Sequence, residues 1–167
     1  MSRNEVMGES IPVWLTADQQ RAWLAYMRVQ LRLNYEINRQ LQTDSGLSLT
    51  DYDVLTALST ADDSRKSVTA LANQIGWERS RVSHHIRRME RRELLTHGPS
   101  AQDRRVTEVT LTEAGWATLR AAAVGHVDHV RSLFFDGLPA ELLAPLTEAL
   151  ENIYEHVLTH GTLPRPD

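Results

Sequence analysis

The chain has 167 residues, 41% hydrophobic and 24% charged, enough for one domain with a real core or two small lobes and too apolar for a mainly disordered chain. It has no cysteine, which excludes disulfides, thiolate zinc sites and cysteine redox sensing. The net charge of -4 is unevenly divided: residues 78–105 hold eight arginines against Glu78, Glu90, Glu93 and Asp103, a segment of +4 on a remainder of -8.

No apolar run approaches the roughly 20 residues of a membrane span, and MSRNEVMGES lacks the apolar segment of a signal peptide, so a cytoplasmic location is expected. Residues 1–12 show no periodicity and read as a flexible end. From Trp14 a long helix is predicted, opened by Thr16 or Asp18 and closed at Asp44-Ser45-Gly46. Leu24, Met27, Leu31 and Tyr35 line one of its faces; Tyr26, Val29, Leu33 and Ile37 line the opposite one, so it needs two neighbours. Thr50-Asp51 resembles the capped start of a short core helix carrying Val54, Leu55 and Leu58, which a polar loop, Asp62 to Lys66, ends. Ser67 caps the next, with Val68, Leu71, Ala72 and Ile75 inward and Gly76 at its end.

The stretch Glu78 to Leu95, ERSRVSHHIRRMERRELL, reads as a helix with Val82, Ile86 and Met89 on one stripe and Ser80, His84, Arg87 and Arg91 almost opposite. Ser, His and Arg donate hydrogen bonds, and arginine can grip phosphate or a guanine edge with two of them, which suits a DNA groove. Ala72, Gly76 and Val82 have the spacing of a helix-turn-helix. Beyond Gly98-Pro99-Ser100 the period changes: Thr107, Val109 and Leu111 alternate with polar residues, and a two-stranded hairpin with Gln102 to Arg105 near its tip is predicted, a wing able to reach a minor groove. Thr112-Glu113 opens a further helix with Leu119, Ala123, Val127, Val130 and Phe134 on one stripe. The last helix carries Leu142, Leu146, Leu150, Ile153 and Val157; Pro145 inside it predicts a kink or a start later than Pro139. Residues 161–167 read as a second flexible end.

Taken together, LANQIGWERSRVSHHIRRMERRELL followed by DRRVTEVTLTEAG resembles the MarR family of winged helix-turn-helix transcription regulators. The resemblance covers the whole chain as a single domain, mainly α with a small β wing: a winged-helix DNA-binding lobe over 47–112, and a helical dimerisation region over 13–46 and 113–160. It implies a homodimer on double-stranded DNA with a near-palindromic operator, repressing transcription and releasing DNA to a small-molecule effector, without a cofactor. Carried onto this sequence, it implies DNA contacts from Ser67, Thr69, Ser80, Arg81, Ser83, His84, Arg87 and Arg88, and from Asp103, Arg104 and Arg105 in the wing, with Arg105 entering the minor groove and Asp103 orienting it. Two departures stand out: Glu93 replaces the glycine that commonly ends the reading helix, and His84 stands where arginine is frequent.

Other readings compete on particular residues. Seven histidines and many carboxylates could serve acid-base catalysis, but there is no phosphate loop, GxSxG or HExxH, and no enzyme is expected. His126 and His129, and His156 and His160, have spacings that can present two metal ligands on a helix face, the basis of a zinc-responsive alternative. Trp14, Trp23 and Tyr35 could border a site for an aromatic effector.

Overall fold

The computed structural model describes residues 14–166 and divides the chain into two compact units, residues 1–33 and 34–167. The arm expected over residues 1–12 lies outside the described residues. Helix α1 (Ala17–Ser45) starts where Thr16 closes a capping box: its Oγ1 accepts from the Gln19 N–H at 3.2 Å, and the Gln19 side chain accepts from the Thr16 N–H at 2.9 Å. In the first unit Leu24, Tyr26, Val29 and Leu31 are exposed. In the second, Ile37 and Leu41 are buried.

Helix α2 (Leu49–Ser59) is capped by Ser48, two residues before the expected Thr50. Ser48 Oγ accepts from the Asp51 N–H and Asp51 Oδ2 from the Ser48 N–H, both at 3.0 Å. The segment predicted as a polar loop after it contains structure. A 3-10 turn (Asp62–Ser64) holds Asp63 and Ser64 at φ 52° and 54°, and strand β1 (Arg65–Ser67) follows. Three residues are too few for a readable alternation; the strand exists through its pairing with a partner distant in sequence. The predicted two-stranded hairpin is therefore a three-stranded antiparallel sheet of order β1-β3-β2, from β2 (Leu95–Pro99) and β3 (Thr107–Leu111), with Arg65 opposite Thr110 and His97 opposite Val109.

Ser67 caps α3 (Val68–Ile75), its Oγ accepting from the Ala70 N–H at 3.0 Å. Gly76 at φ 70° stops it, and the Trp77 N–H donates back to the Ala72 carbonyl at 2.9 Å. Helix α4 spans only Arg79–Glu90, shorter than the predicted Glu78 to Leu95. Arg91, Arg92 and Glu93 are good helix formers, so local propensity runs on, but burial of Leu94 and Leu95 beside the sheet turns the chain away. Glu93 performs that turn at φ 59°, a left-handed conformation costly for a residue with a Cβ. Glu93→Gly is therefore expected to stabilise the fold by about 0.5 to 1 kcal/mol. Urea denaturation reads this directly, and a lowered midpoint would show that the Glu93 side chain contributes more than its backbone strain costs.

Thr112 caps α5 (Glu113–Val130): its Oγ1 accepts from the Gly115 N–H at 3.0 Å and donates to the Glu93 carbonyl at 2.6 Å. A π-helical turn (Arg131–Phe135) continues it, and α6 (Ala140–His160) begins directly after Pro139 with Pro145 inside its second turn. The start is thus not delayed. In the tail after His160, Arg165 is hydrogen-bonded to Glu155 and Thr159.

In the second unit α2 packs on α3, α5 and β3, while α4 packs on α3 and β2. Leu41, Leu47, Leu55, Leu58, Leu71, Val82, Ile86, Met89, Leu95 and Val109 are fully buried between them. The architecture is mainly α with a small β wing, a winged helix-turn-helix.

Candidate nucleic-acid interface

The greasy back of α4 holds Val82, Ile86 and Met89, each at most 1% exposed, and α4 thereby sits on α3 and the sheet. Ser80, His84, Arg87 and Arg91 are exposed on the opposite side. Ser83 is half-buried and gives its hydroxyl proton to the Arg79 carbonyl at 2.9 Å, a bond it must exchange to meet DNA. Ser67 also spends its oxygen locally, as the α3 cap, while Thr69 is exposed.

One flank of α4 is organised differently. The Arg81 guanidinium lies 3.7 Å from the centroid of the Trp77 ring, a cation–π contact, and Trp77 meets His85 edge-on at 5.6 Å. His85 is buried. Its Nδ1 is 2.7 Å from Nη2 of Arg88, and its Nε2 is 2.8 Å from Oδ1 of Asp51 in α2, a close contact outside ideal hydrogen-bond alignment. Asp51 also accepts from Arg92 Nη1 at 2.7 Å, and Arg92 Nη2 donates to the Gly46 carbonyl at 2.8 Å. Burial by itself raises the Asp51 carboxyl pKa, but the contacts with His85, the Ser48 N–H and Arg92 outweigh it and hold the group far below the usual carboxylate range. Asp51, Trp77, His85 and Arg92 were not among the residues expected at the site. The four-residue step from Trp77 to Arg81 hints at one contact, but nothing in the sequence pairs Asp51 with a histidine 34 positions away.

At the wing tip Asp103 Oδ1 accepts from the Arg105 backbone N–H at 3.0 Å and from its Nε at 3.2 Å, while Oδ2 faces Nη2 at 3.3 Å. The Arg105 side chain and backbone together hold the Asp103 carboxyl below its ordinary value. The Arg105 side chain is nevertheless 91% exposed, and Arg104 beside it is exposed too. The wing therefore presents an oriented guanidinium to solvent.

The remaining candidates scatter. Trp14 and Trp23, in the first unit, and Tyr35, in the second, are all exposed. Within the second unit a cleft of about 450 Å³ is lined by Ile37 of α1, Tyr52, Asp53 and Thr56 of α2, Gln74 of α3 and His126 of α5. The His126 ring lies 4.4 Å from that of Tyr52, and burial, then the neighbouring His129, push its pKa down. His126 Nδ1 and His129 Nε2 are buried without a hydrogen-bond partner. His156 and His160 stack at 4.0 Å on α6. Among the described residues no group of three or more His, Asp or Glu is arranged to hold a metal ion, and no helix is long and apolar enough to cross a membrane.

Residues 45–106 match the model of the MarR family. No curated protein matches the chain. Among solved structures the chain is similar to AbsC, a MarR family transcriptional regulator from Streptomyces coelicolor, at 37% identity over 87% of this chain and 97% of that one, with a TM-score of 0.80. It is also similar to Sco3205, a MarR family transcriptional regulator of the same organism in complex with DNA, at 34% identity over 91% and 99% of the two chains and a TM-score of 0.84. CouR from Rhodococcus jostii RHA1, bound to p-coumaroyl-CoA, shares the fold at 21% identity, 84% and 95% coverage and a TM-score of 0.68.

Proposed function

Because the chain belongs to the MarR family of transcriptional regulators, we propose that it acts as a homodimeric, ligand-responsive repressor that reads a near-palindromic operator. The observation that carries the DNA-binding part is the pairing of an exposed donor face on α4, Ser80, His84 and Arg87, with an exposed guanidinium that Asp103 orients at the wing tip. The first suits base edges in a major groove, and the second suits phosphate and a narrow minor groove. Enrichment of binding sites from random DNA tests it: two half-sites about one helical turn apart are expected, and no enrichment, or a lone half-site, rejects the reading.

The two kinds of contact differ in what they read. Arg105→Ala is expected to weaken all sites alike, by about tenfold, and to reduce the salt dependence of binding by about one ion. It removes a cation and leaves the Asp103 carboxylate facing phosphate. Unchanged affinity at moderate salt removes the wing from the interface. His84→Ala or Arg87→Ala should instead reorder the preference among sites.

Dimerisation is supported by the apolar residues that α6 and α5 leave exposed, Leu150, Ile153, Tyr154 and Val157 with Val124 and Val127, more than a small lobe leaves uncovered without a partner. Ile153 is 61% exposed on the single chain, so Ile153→Asp spares the fold of the protomer and puts a charge into the contact between copies. Sedimentation of that variant as a monomer without specific DNA binding is expected, and a stable wild-type monomer with full affinity rejects the arrangement. For the effector, the cleft beside Tyr52 and His126 is the site the structure favours: it combines apolar walls with buried, unpartnered nitrogen.

A further inference from the structure

We propose that Trp77 and His85 are positioning residues for DNA recognition: although neither is on the exposed face of α4, together they hold the guanidinium groups of Arg81 and Arg88 in place along one flank of the helix. The proposal rests on the DNA-binding reading above and adds to it which supporting side chains, the half-buried Trp77 and the buried His85, set site preference.

The geometry is one continuous chain of contacts. Arg81 Cζ lies over the Trp77 ring, 3.7 Å from its centroid, Trp77 stands edge-on to His85, and His85 Nδ1 meets Arg88 Nη2 at 2.7 Å. A guanidinium has donors only, so at that distance Nδ1 is the acceptor and the ring proton sits on Nε2. Nε2 faces the Asp51 carboxylate at 2.8 Å, and the Ser48 N–H and Arg92 hold that carboxylate from its other oxygen. The histidine is thus held in one tautomer by an anion on one side and a cation on the other. His85 as a whole is 5% exposed.

An unrestrained arginine loses most of its rotamer freedom when it docks, whereas one already held in place loses less and offers its fork from a set position. On α4 the difference is local. Arg87, on the open face, has no such platform among the described residues, while Arg81 and Arg88, one turn of helix on either side of His84, have one each. Two oriented forks, seven residues apart on one flank, demand a particular arrangement of acceptors, which is how the supporting residues reach base preference without touching DNA. If His85 served only to satisfy Asp51 in the core, replacing it would change stability and leave the ranking of sites alone.

A double-mutant cycle separates the two. Affinity for the site enriched by the wild-type chain is measured for wild type, Arg88→Ala, His85→Phe and the double variant, with urea stability alongside; phenylalanine keeps the ring against Trp77 and deletes Nδ1. Arg88→Ala should cost about tenfold in the wild-type background, the scale of one good fork, and less than about threefold in His85→Phe, whose site ranking should approach that of Arg88→Ala. Arg81→Ala in wild type and in Trp77→Leu should behave the same way. Equal losses in both backgrounds, or an unchanged ranking in His85→Phe, overturn the proposal. Should His85→Phe fail to fold, nitrogen-proton correlation spectra of the wild-type imidazole decide: an Nε2–H tautomer is expected, and an Nδ1–H tautomer or an imidazolium overturns the arrangement. Failure of the wild-type chain to enrich any DNA sinks the regulatory reading itself, whereas enrichment with equal Arg88 losses sinks this inference alone.

Discussion

Gly115→Ala is expected to destabilise the fold by about 3 kcal/mol or more, because the new methyl group has no space. A Cβ built there would lie 2.0 Å from the Leu94 carbonyl oxygen and 2.7 Å from Leu111 Cδ1. The first neighbour is backbone, held in place because the Thr112 N–H donates to that same oxygen at 3.3 Å. The sign makes the test sharp: alanine for glycine inside a helix ordinarily stabilises by about 1 kcal/mol. A urea midpoint that stays in place or rises would mean that α5 can draw back from the base of the wing at no cost.

The second large effect is at Asp51, whose carboxylate is 7% exposed and serves three groups at once. Asp51→Ala removes the reciprocal half of the α2 capping box, strands the buried Nε2–H of His85 and frees Arg92. Arg92 is 42% exposed and can find water, so its share is small. The other two losses bring the expected cost to about 2 to 4 kcal/mol. The pH dependence has a definite sign. A carboxyl held below its unfolded value stabilises the fold above about pH 4, and that contribution is lost as pH falls through the lower folded value. Wild type should therefore lose stability in the acid range, and Asp51→Asn should show a flatter acid limb. Asp53, pushed upward by burial, contributes in the opposite sense and remains in both proteins. Parallel acid limbs would mean that Asp51 is not the group that titrates.

The features legible in the sequence are those carried by local pattern. The apolar stripe of α4, the alternation of Val109 and Leu111 and the glycine stop at Gly76 each announce themselves within a few residues. The start of α2 is ambiguous in the sequence because Ser48 and Thr50 are both competent caps, and only the reciprocal bond with Asp51 chooses between them. Strand β1 and the early end of α4 escaped for a shared reason: both are imposed by neighbours distant in sequence, against a local preference that is weak in one case and contrary in the other. The site divides the same way. The exposed donors on α4 follow from spacing and the Asp103–Arg105 clamp from the family resemblance, but the tether of Arg88 runs through a histidine to a carboxylate on another helix, and no periodicity reports that.

The seam at the start of α5 also has a mechanical meaning. Thr112 ties the cap of α5 to the Glu93 carbonyl, and Gly115 lets the α5 backbone rest directly on Leu94, the residue that leads into β2. With no side chain between them to act as a cushion, α5 and the root of the wing form one lever. A load on the start of α5 is therefore passed to the root of the wing at Leu94 without a deformable side chain between them. Uncoupling the two requires breaking both Thr112 hydrogen bonds, to the Glu93 and Leu94 carbonyls, and opening the Gly115 contact together.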